Sequence, residues 1–385
     1  MQDMIPRHLH MIVSSRLRSF PAVALLGARQ TGKTTLAKGL SPVYYDLEVD
    51  SEKLRLDLQW DNIIASDELI ILDEAQNFPG IFPRLRSAID TERKRNGRFL
   101  ILGSVSPGLM KEVSEFLTGR IAICELGPLW LEEMGVSHLD DMWLMGGFPD
   151  GGILDKKAFP VWQRNYLDLL AMRDLPTWGL PAKPQMTKRF FQMLAVGNGN
   201  MWNASLMGKS LGIAYHTVNA YLDYLEQAYL IRRLQPFHAN IKKRLVKSPK
   251  VFWRDSGLLH SLLGIRHMDD LLVQPWVGIS WECWVIQQIL TCLNVHDIDY
   301  EPYYFRTQDG HELDLVLRLF GELWAFEIKL SSAPDKRELD RLTKTAEIIG
   351  ADTRVLVSRT PEHIEGPQGI STNLAGAVRL IMQNK

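Results

Sequence analysis

Residues 27–34 read Gly27-Ala28-Arg29-Gln30-Thr31-Gly32-Lys33-Thr34. An apolar run, residues 22–26, precedes this stretch, and the helix-forming residues 35–40 follow it. This order of strand, loop and helix is the context that a phosphate-binding loop requires. The glycines allow the loop to fold back, so that backbone N–H groups and the positive end of the helix converge on phosphate oxygens. The sequence therefore predicts a nucleotide-binding loop at this position.

A second motif, further along the chain, strengthens this interpretation. The apolar run at residues 69–72 ends in Asp73-Glu74. Acids at the end of a strand that is buried on both faces indicate the carboxyl edge of a parallel sheet, where ligands bind. We expect Lys33 to reach the β- and γ-phosphates, Thr34 and Asp73 to hold Mg²⁺, and Glu74 to orient and deprotonate a water. The two motifs together predict a protein that binds ATP with Mg²⁺ and hydrolyses it.

Composition limits the remaining possibilities. The 385 residues suffice for two to four domains, and 46% of them are hydrophobic. A net charge of −1 argues against wholesale coating of nucleic acid but allows local basic patches. Cys124, Cys283 and Cys292 have no spacing typical of disulfides or zinc, and no apolar run approaches the ~20 residues of a membrane helix. We expect a cytoplasmic protein without a membrane partner.

Strand and helix patterns divide the chain into four predicted regions. Alternating apolar runs and helical stretches predict a three-layer α/β fold at the start, and a glycine-rich break at residues 146–152 ends it. Two helices at 206–211 and 217–231, turning at Gly212, are typical of a helix-turn-helix with a wing at 242–251. The predicted domains are a P-loop ATPase domain (1–145), a helical lid (146–200), a winged helix (201–270) and a second α/β domain (274–385).

Two further residues of the first region are candidates for the nucleotide site. Ser104 ends the apolar run at residues 100–102 and could sense the γ-phosphate, or it could simply cap a strand end. Arg120 is a candidate to stabilise transition-state charge, within one subunit or across an interface, although loop arginines are commonly solvated. The predicted nucleotide contacts are Gly27, Ala28, Arg29, Gln30, Thr31, Gly32, Lys33, Thr34, Thr35, Asp73 and Ser104, and the predicted catalytic groups are Lys33, Glu74 and Arg120.

The winged-helix region has a local positive charge. Its basic residues are Lys242, Lys243, Arg244, Lys247, Lys250 and Arg254, with no acid between Lys242 and Arg254. If all six contacted phosphates, log K would fall with log[salt] with a slope of about −5. The residues placed to reach base edges are Tyr215, His216 and Asn219. The alternative is a lid or spacer with a solvated basic face.

The last region carries a different arrangement of charges. Asp314 lies on one predicted strand (313–318), and Glu327 and Lys329 lie at the end of the next (323–328), after a hairpin turn at Asp309-Gly310. An acid followed by acid-x-lysine is the layout of the PD-(D/E)XK nuclease core, in which Asp314 and Glu327 would bind Mg²⁺ and Lys329 would position a hydroxide. Glu282 and Glu312 could add metal contacts. Plain solvated sheet faces can show the same alternation.

Motifs along nearly the whole chain match one family. Besides the phosphate loop and the nuclease-like residues, they include Tyr45-Asp46-Leu47-Glu48, Leu72-Asp73-Glu74-Ala75-Gln76, Leu102-Gly103-Ser104, Gly119-Arg120, Gly146-Gly147-Phe148-Pro149, Arg173-Asp174-Leu175 and Lys250-Val251-Phe252-Trp253-Arg254-Asp255-Ser256-Gly257-Leu258. The chain resembles prokaryotic AAA+-type ATPases with a winged helix and a C-terminal domain of PD-(D/E)XK nuclease-like fold and unknown function. The resemblance implies ATP binding and hydrolysis and a tendency to form homo-oligomers.

Three hypotheses follow. The first is an AAA+-type ATPase that couples hydrolysis to DNA binding or remodelling. The second is an ATP-licensed, Mg²⁺-dependent DNA nuclease centred on Asp314, Glu327 and Lys329. The third is a slow, nucleotide-switched protein-interaction module, whose turnover would be below ~0.01 s⁻¹.

Overall fold

A five-stranded parallel sheet forms the first part of the chain. The computed structural model describes residues 5–104, 112–113, 115–238 and 246–385. Within the first part the elements are α1 (Leu9–Ser19), β1 (Ala22–Gly27), α2 (Lys33–Lys38), β2 (Tyr44–Asp46), α3 (Asp50–Ala65), β3 (Ile70–Asp73), α4 (Ile81–Thr91), β4 (Phe99–Ser104) and β5 (Ile121–Glu125).

The strand order β2-β3-β4-β1-β5 brings the carboxyl ends of the strands to one edge. β1 is buried along its whole length, as its unbroken apolar sequence predicts. The register pairs Gly27 with Ser104 and Asp46 with Asp73, so the phosphate loop and the Asp73-Glu74 pair leave the sheet at the same edge. The prediction of an α/β fold with a parallel sheet is confirmed.

Helices dominate the middle of the chain. They are α5 (Leu131–Met134), α6 (Leu139–Met145), α7 (Val161–Leu169), α8 (Leu175–Thr177), α9 (Pro184–Val196), α10 (Ala204–Leu211), α11 (Tyr215–Gln227), α12 (Ser256–Leu262) and α13 (Met268–Leu272). Between α11 and α12, the strands β6 (Ile231–Pro236) and β7 (Lys250–Trp253) pair antiparallel. The Gly146-Gly147 turn is buried: a Cβ at Gly147 would lie 2.0 Å from the Leu129 carbonyl oxygen, so only glycine fits. Its backbone N–H donates to Asp255 at 2.8 Å.

The last part of the chain packs helices against an eight-stranded mixed sheet. Its elements are α14 (Val277–Val295), β8 (Tyr300–Arg306), β9 (Glu312–Leu319), β10 (Glu322–Ile328), α15 (Lys336–Ile349), β11 (Thr353–Val357), β12 (Ile364–Gly366), β13 (Gly369–Thr372) and α16 (Leu374–Gln383). The strand order is β12-β13-β11-β10-β9-β8-β6-β7. β6 pairs in parallel with β8, so the hairpin of the middle region extends the sheet of the C-terminal region.

The central helix α14 is buried along most of its length. Trp281 packs edge-to-face on Trp143 of α6, with ring centroids 5.1 Å apart, and so joins the middle and C-terminal regions. Among the described helices, none is both long enough and apolar enough to cross a bilayer. All three cysteines are free and buried.

A buried histidine links the same two regions and makes stability depend on pH. His260 Nδ1 lies 2.8 Å from the Leu144 carbonyl oxygen, and Nε2 lies 2.7 Å from Ser280 Oγ. Burial lowers the pKa of His260 to about 4, below the 6.5 of an exposed histidine. The unfolded chain therefore binds one more proton than the folded chain between these pH values. This group should lower the free energy of unfolding by up to about 1.4 kcal/mol per pH unit as pH falls from 6.5 to 4.

Urea unfolding between pH 4 and pH 7 measures this effect. The stability of His260→Gln should depend less steeply on pH than that of the native chain, whereas a matched change at the exposed His216 should leave the pH dependence unaltered. Equal slopes for the native chain and His260→Gln would contradict the assignment.

Candidate functional site

The phosphate loop and β3 bring four predicted side chains together. Thr34 donates its hydroxyl hydrogen to Asp73 Oδ2 at 2.6 Å. Lys33 is buried and donates from Nζ to the carbonyl oxygens of Gly27 (3.1 Å) and Ala28 (2.8 Å). Burial lowers the pKa of Lys33 to about 8, and the charges of Glu74 and Asp73 partly offset this. The loop therefore holds one cation and one hydroxyl beside two acids, as the spacing predicts.

Glu74 adopts a backbone conformation that side chains seldom take. Its φ of 49° lies in the left-handed region, which costs about 1–3 kcal/mol and is concentrated at functional sites. Burial raises the pKa of its carboxyl, and the hydrogen bond from Gln76 partly opposes that shift. A base whose pKa is closer to neutral transfers protons more effectively.

These residues fit a nucleoside triphosphate with Mg²⁺. A hydroxyl and a carboxylate in direct contact, Thr34 and Asp73, are the oxygen ligands that Mg²⁺ accepts, and Tyr44 steadies Asp73 with a 2.9 Å hydrogen bond. Bound Mg²⁺ would neutralise charge on the phosphate oxygens. The chain's own contribution is to supply the Lys33 ammonium, the loop N–H groups and the Glu74 carboxylate around that position.

Two contacts of the loop were missed by sequence reasoning. Arg7 donates from one NH group to the Thr31 carbonyl oxygen at 2.7 Å and from the other to the Gly127 carbonyl oxygen at 2.7 Å. Arg29 forms an ion pair with Asp174 at 2.8 Å. Both partners are far away along the chain, so no local spacing reveals them. The only signal for Asp174 is its place in the Arg173-Asp174-Leu175 motif.

Asp174 lies at the end of a widened helical turn. Residues Leu170–Asp174 form a π-helical turn, a distortion that is frequent at functional sites. A cavity of about 390 Å³ opens beside this contact, with Glu48 and Trp178 among its lining residues. The phosphate loop therefore faces the middle helices across a polar cavity.

The structure treats the other two predicted residues differently. The backbone of Ser104 ends β4 beside Gly27, as predicted, but its side chain lies outside what the structure describes. Arg120 precedes β5 and pairs with Asp90 at 2.8 Å. Because β5 runs parallel to β1 and Ile121 pairs with Ala22, Arg120 lies at the amino ends of the strands, about 20 Å from the start of the loop at Gly27. The prediction that Arg120 acts within one subunit is therefore wrong, and action across an interface stays a prediction.

The C-terminal region also assembles its predicted residues. Asp314 accepts the Ile328 backbone N–H at 2.7 Å, and Lys329 Nζ lies 2.6 Å from Glu327 and 3.8 Å from Asp314. Asp314, Glu327 and Lys329 line a cavity of about 490 Å³, and Glu282 and Glu312 line it as well. Burial, with the charge of Asp314, raises the pKa of Glu282 and of Glu327. The acids are therefore crowded and partly desolvated.

A lysine from β7 occupies this acidic cluster. Lys250 Nζ lies 3.0 Å from Glu282 and 2.9 Å from Glu312, and the residue is only 5% exposed. Burial disfavours its ammonium, but Glu282, Asp314 and Glu312 outweigh burial and raise its pKa. The interpretation of Lys250 as part of a DNA-binding surface is wrong, since its charge is neutralised inside the protein. Arg254 likewise donates a hydrogen bond to the Glu125 carboxylate inside the protein.

Removing this ammonium should destabilise the protein. Lys250→Met keeps an apolar stem of similar length but removes the ion pair of Glu282, whose side chain is only 16% exposed, while Glu312 keeps its ion pair with Arg306. We expect a loss of about 3–5 kcal/mol in the free energy of unfolding at pH 8, measured by urea denaturation. The matched change at the exposed Lys247 should cost less than about 0.5 kcal/mol. Equal losses in the two variants would contradict the ion pairs.

Of the predicted DNA contacts, three lie on described surface. Tyr215 and His216 are exposed at the start of α11, and Lys247 is exposed before β7. Asn219 is half-buried, and its side-chain oxygen accepts a 2.8 Å hydrogen bond from Trp202. The remaining predicted contacts, Lys242, Lys243 and Arg244, lie outside the described residues.

Models of three domain families match the chain. Residues 19–135 match the model of an AAA domain, and residues 136–269 and 277–374 match two domains of unknown function, DUF8612 and DUF4143. Uncharacterized proteins of Mycobacterium tuberculosis and Mycobacterium bovis are each 38% identical to this chain over 323 residues, which is 83% of this chain and 72% of the length of each relative. The chain belongs to their family. It is a P-loop ATPase.

More distant similarities were also found. An uncharacterized protein of Haemophilus influenzae is 23% identical over 62% of this chain and 68% of its own length. The Walker-type ATPase of Pyrococcus abyssi matches 68% of this chain and 97% of its own at 16% identity, with a TM-score of 0.46.

Proposed function

We propose that this ATPase uses nucleotide binding and hydrolysis to change how its middle and C-terminal regions are held, and that it does so on DNA. The observation that carries the proposal is the ion pair between Arg29 in the phosphate loop and Asp174 in the middle region. Tyr166 adds a 3.3 Å hydrogen bond to the Arg29 carbonyl oxygen. Any rearrangement of the loop around phosphates must therefore alter contacts with the middle helices.

The same proposal assigns a role to each region. Residues 1–145 form the AAA+-type ATPase domain, 146–200 a helical lid, 201–270 a winged helix and 274–385 a nuclease-like domain. Helices α10 and α11 followed by the β6–β7 hairpin support the winged helix. With Lys250 and Arg254 held inside the protein, four of the six residues of the basic stretch remain for phosphates, so their contribution to the salt slope for DNA binding should be about −3.6.

An ATPase assay with several DNA forms tests the coupling. Turnover is measured without DNA and with single-stranded, duplex and branched DNA, on the native chain and on Lys33→Ala. Stimulation of the native chain by one form supports the proposal. A turnover rate that is the same with and without every DNA form would refute the coupling to DNA. A turnover below ~0.01 s⁻¹, together with nucleotide-dependent binding of a protein partner, would instead favour a switched interaction module.

A second candidate function is Mg²⁺-dependent DNA cleavage in the C-terminal region. The observation in its favour is the contact of Lys329 with both Glu327 and Asp314. Cleavage that requires Mg²⁺ and disappears in Asp314→Ala would support it. The Lys250 ammonium already forms ion pairs with Glu282 and Glu312. If no DNA form is cleaved, the acidic cluster is therefore an internal ion-pair network.

A further inference from the structure

Three segments that are far apart in the sequence meet near the start of α1, at α5 and at the end of α14. His8 precedes α1, Glu132 lies in α5, and His296 follows α14. Each side chain offers one ligand atom, and these three atoms lie within 4.8 Å of one another. The cluster thus joins the start of the ATPase domain to α5 and to the end of the central helix of the C-terminal region.

Both histidines have an unused ring nitrogen. His8 Nδ1 and His296 Nε2 are buried, and neither has a hydrogen-bond partner in the part of the chain that the structure describes. A buried polar atom without a partner costs about 1–3 kcal/mol, so two of them in one cluster require an explanation. A coordinated cation is one ligand that satisfies the lone pairs of two imidazoles at once.

The charges around the cluster allow a cation. Burial and the neighbouring His8 lower the pKa of His296, which keeps its imidazole in the neutral form that binds metals. Glu132 is exposed and supplies negative charge on the solvent side. Lys385 donates from Nζ to the His296 carbonyl oxygen at 2.7 Å, so this hydrogen bond to the backbone holds its ammonium beside the cluster.

Neighbouring residues fix the positions of the possible ligands. Glu133 is fully buried and accepts hydrogen bonds from the His8 backbone N–H at 2.8 Å and from Arg7 Nε at 3.0 Å. The Trp130 ring packs edge-on against both imidazoles, with centroids 5.4 Å from His8 and 6.1 Å from His296. Such supporting contacts orient metal ligands in known sites.

We propose that His8, Glu132 and His296 form a binding site for a divalent transition metal of the zinc class. Two imidazoles and one carboxylate are a three-ligand set that Zn²⁺ accepts, with a fourth position left to water. The metal would clamp the start of the ATPase domain onto α14. Arg7, adjacent to His8, contacts the Thr31 carbonyl oxygen, so the clamp would also brace the phosphate loop.

Zinc titration of the full chain, after treatment with a chelator and without nucleotide, tests the site. Competition with a zinc-sensitive dye should give one tight site per chain, and Zn²⁺ at a hundredfold excess over Kd should raise Tm by about 3 °C. Mg²⁺ should not displace Zn²⁺ from this site, because it prefers six oxygen ligands. Binding should weaken at least about tenfold in His8→Ala and His296→Ala.

Two further variants keep the test decisive. His10→Ala changes an exposed histidine two residues from His8 and should bind Zn²⁺ like the native chain. Glu132→Gln changes a side chain on the solvent side, so it should fold normally and still lose affinity, even if a histidine variant does not fold. Absence of a one-to-one site, or equal affinity in Glu132→Gln and His10→Ala, would overturn the proposal.

Discussion

ATP turnover should fall by at least about a hundredfold when Lys33 is replaced by alanine, because the loop then loses the cation that stabilises charge on the transferring phosphoryl group. Lys33 Nζ donates to the Gly27 and Ala28 carbonyl oxygens, so the ammonium lies against the predicted phosphate loop. ATP affinity should fall as well. Phosphate release and binding of a fluorescent ATP analogue measure the two effects.

A matched control separates this effect from a general loss of charge. Lys94→Ala removes an exposed lysine of the same domain and should leave turnover within a factor of about two of the native rate. Undiminished turnover in Lys33→Ala would show that hydrolysis does not occur at this loop, or that a contaminating ATPase produces the signal.

Glu74→Gln should separate hydrolysis from binding. The substitution preserves the size of the side chain and removes the carboxylate that accepts a proton, so turnover should fall by about 10²–10⁴-fold. ATP affinity should remain, because the amides of the loop, Lys33 and Thr34 are unchanged. Single-turnover hydrolysis and equilibrium binding, each done with Mg²⁺, measure the two quantities separately.

Glu68→Gln is the control for this variant. Glu68 is exposed, just before the start of the same strand, β3, at the edge away from the loop, so its loss should not alter hydrolysis. Retained hydrolysis in Glu74→Gln, or equal losses of hydrolysis in the two variants, would remove Glu74 from the role of base.

Local sequence patterns predicted the secondary structure well where strands and helices are marked by their own residues. The strands expected at 313–318 and 323–328 extend only one residue further at one or both ends, and the Asp309-Gly310 turn joins β8 to β9. The helix predicted to end at residue 231 ends instead at Gln227. The prediction was wrong because the positive φ of Tyr229 (59°) ends the helical path of the chain, and Ile231 begins the next strand, β6.

The candidate site divides in the same way. Lys33, Thr34, Asp73 and Glu74 belong to short motifs whose spacing requires a particular backbone, and the structure brings them together. Ion pairs between residues that are far apart in the sequence could not be predicted from such local motifs. Lys250 looks like a solvated lysine in a basic stretch, and only the fold shows that β7 carries it into an acidic cluster.

The pairing of β6 with β8 affects how the protein can be dissected. A fragment that starts at residue 274 would contain β8 without its neighbour, with unsatisfied main-chain amides and carbonyls along one side. Such exposed edges recruit strands from other molecules and promote aggregation. If that fragment is insoluble, the loss of β6 from the sheet explains it. A fragment that starts before β6 would keep the β6–β8 pairing and should expose no new strand edge.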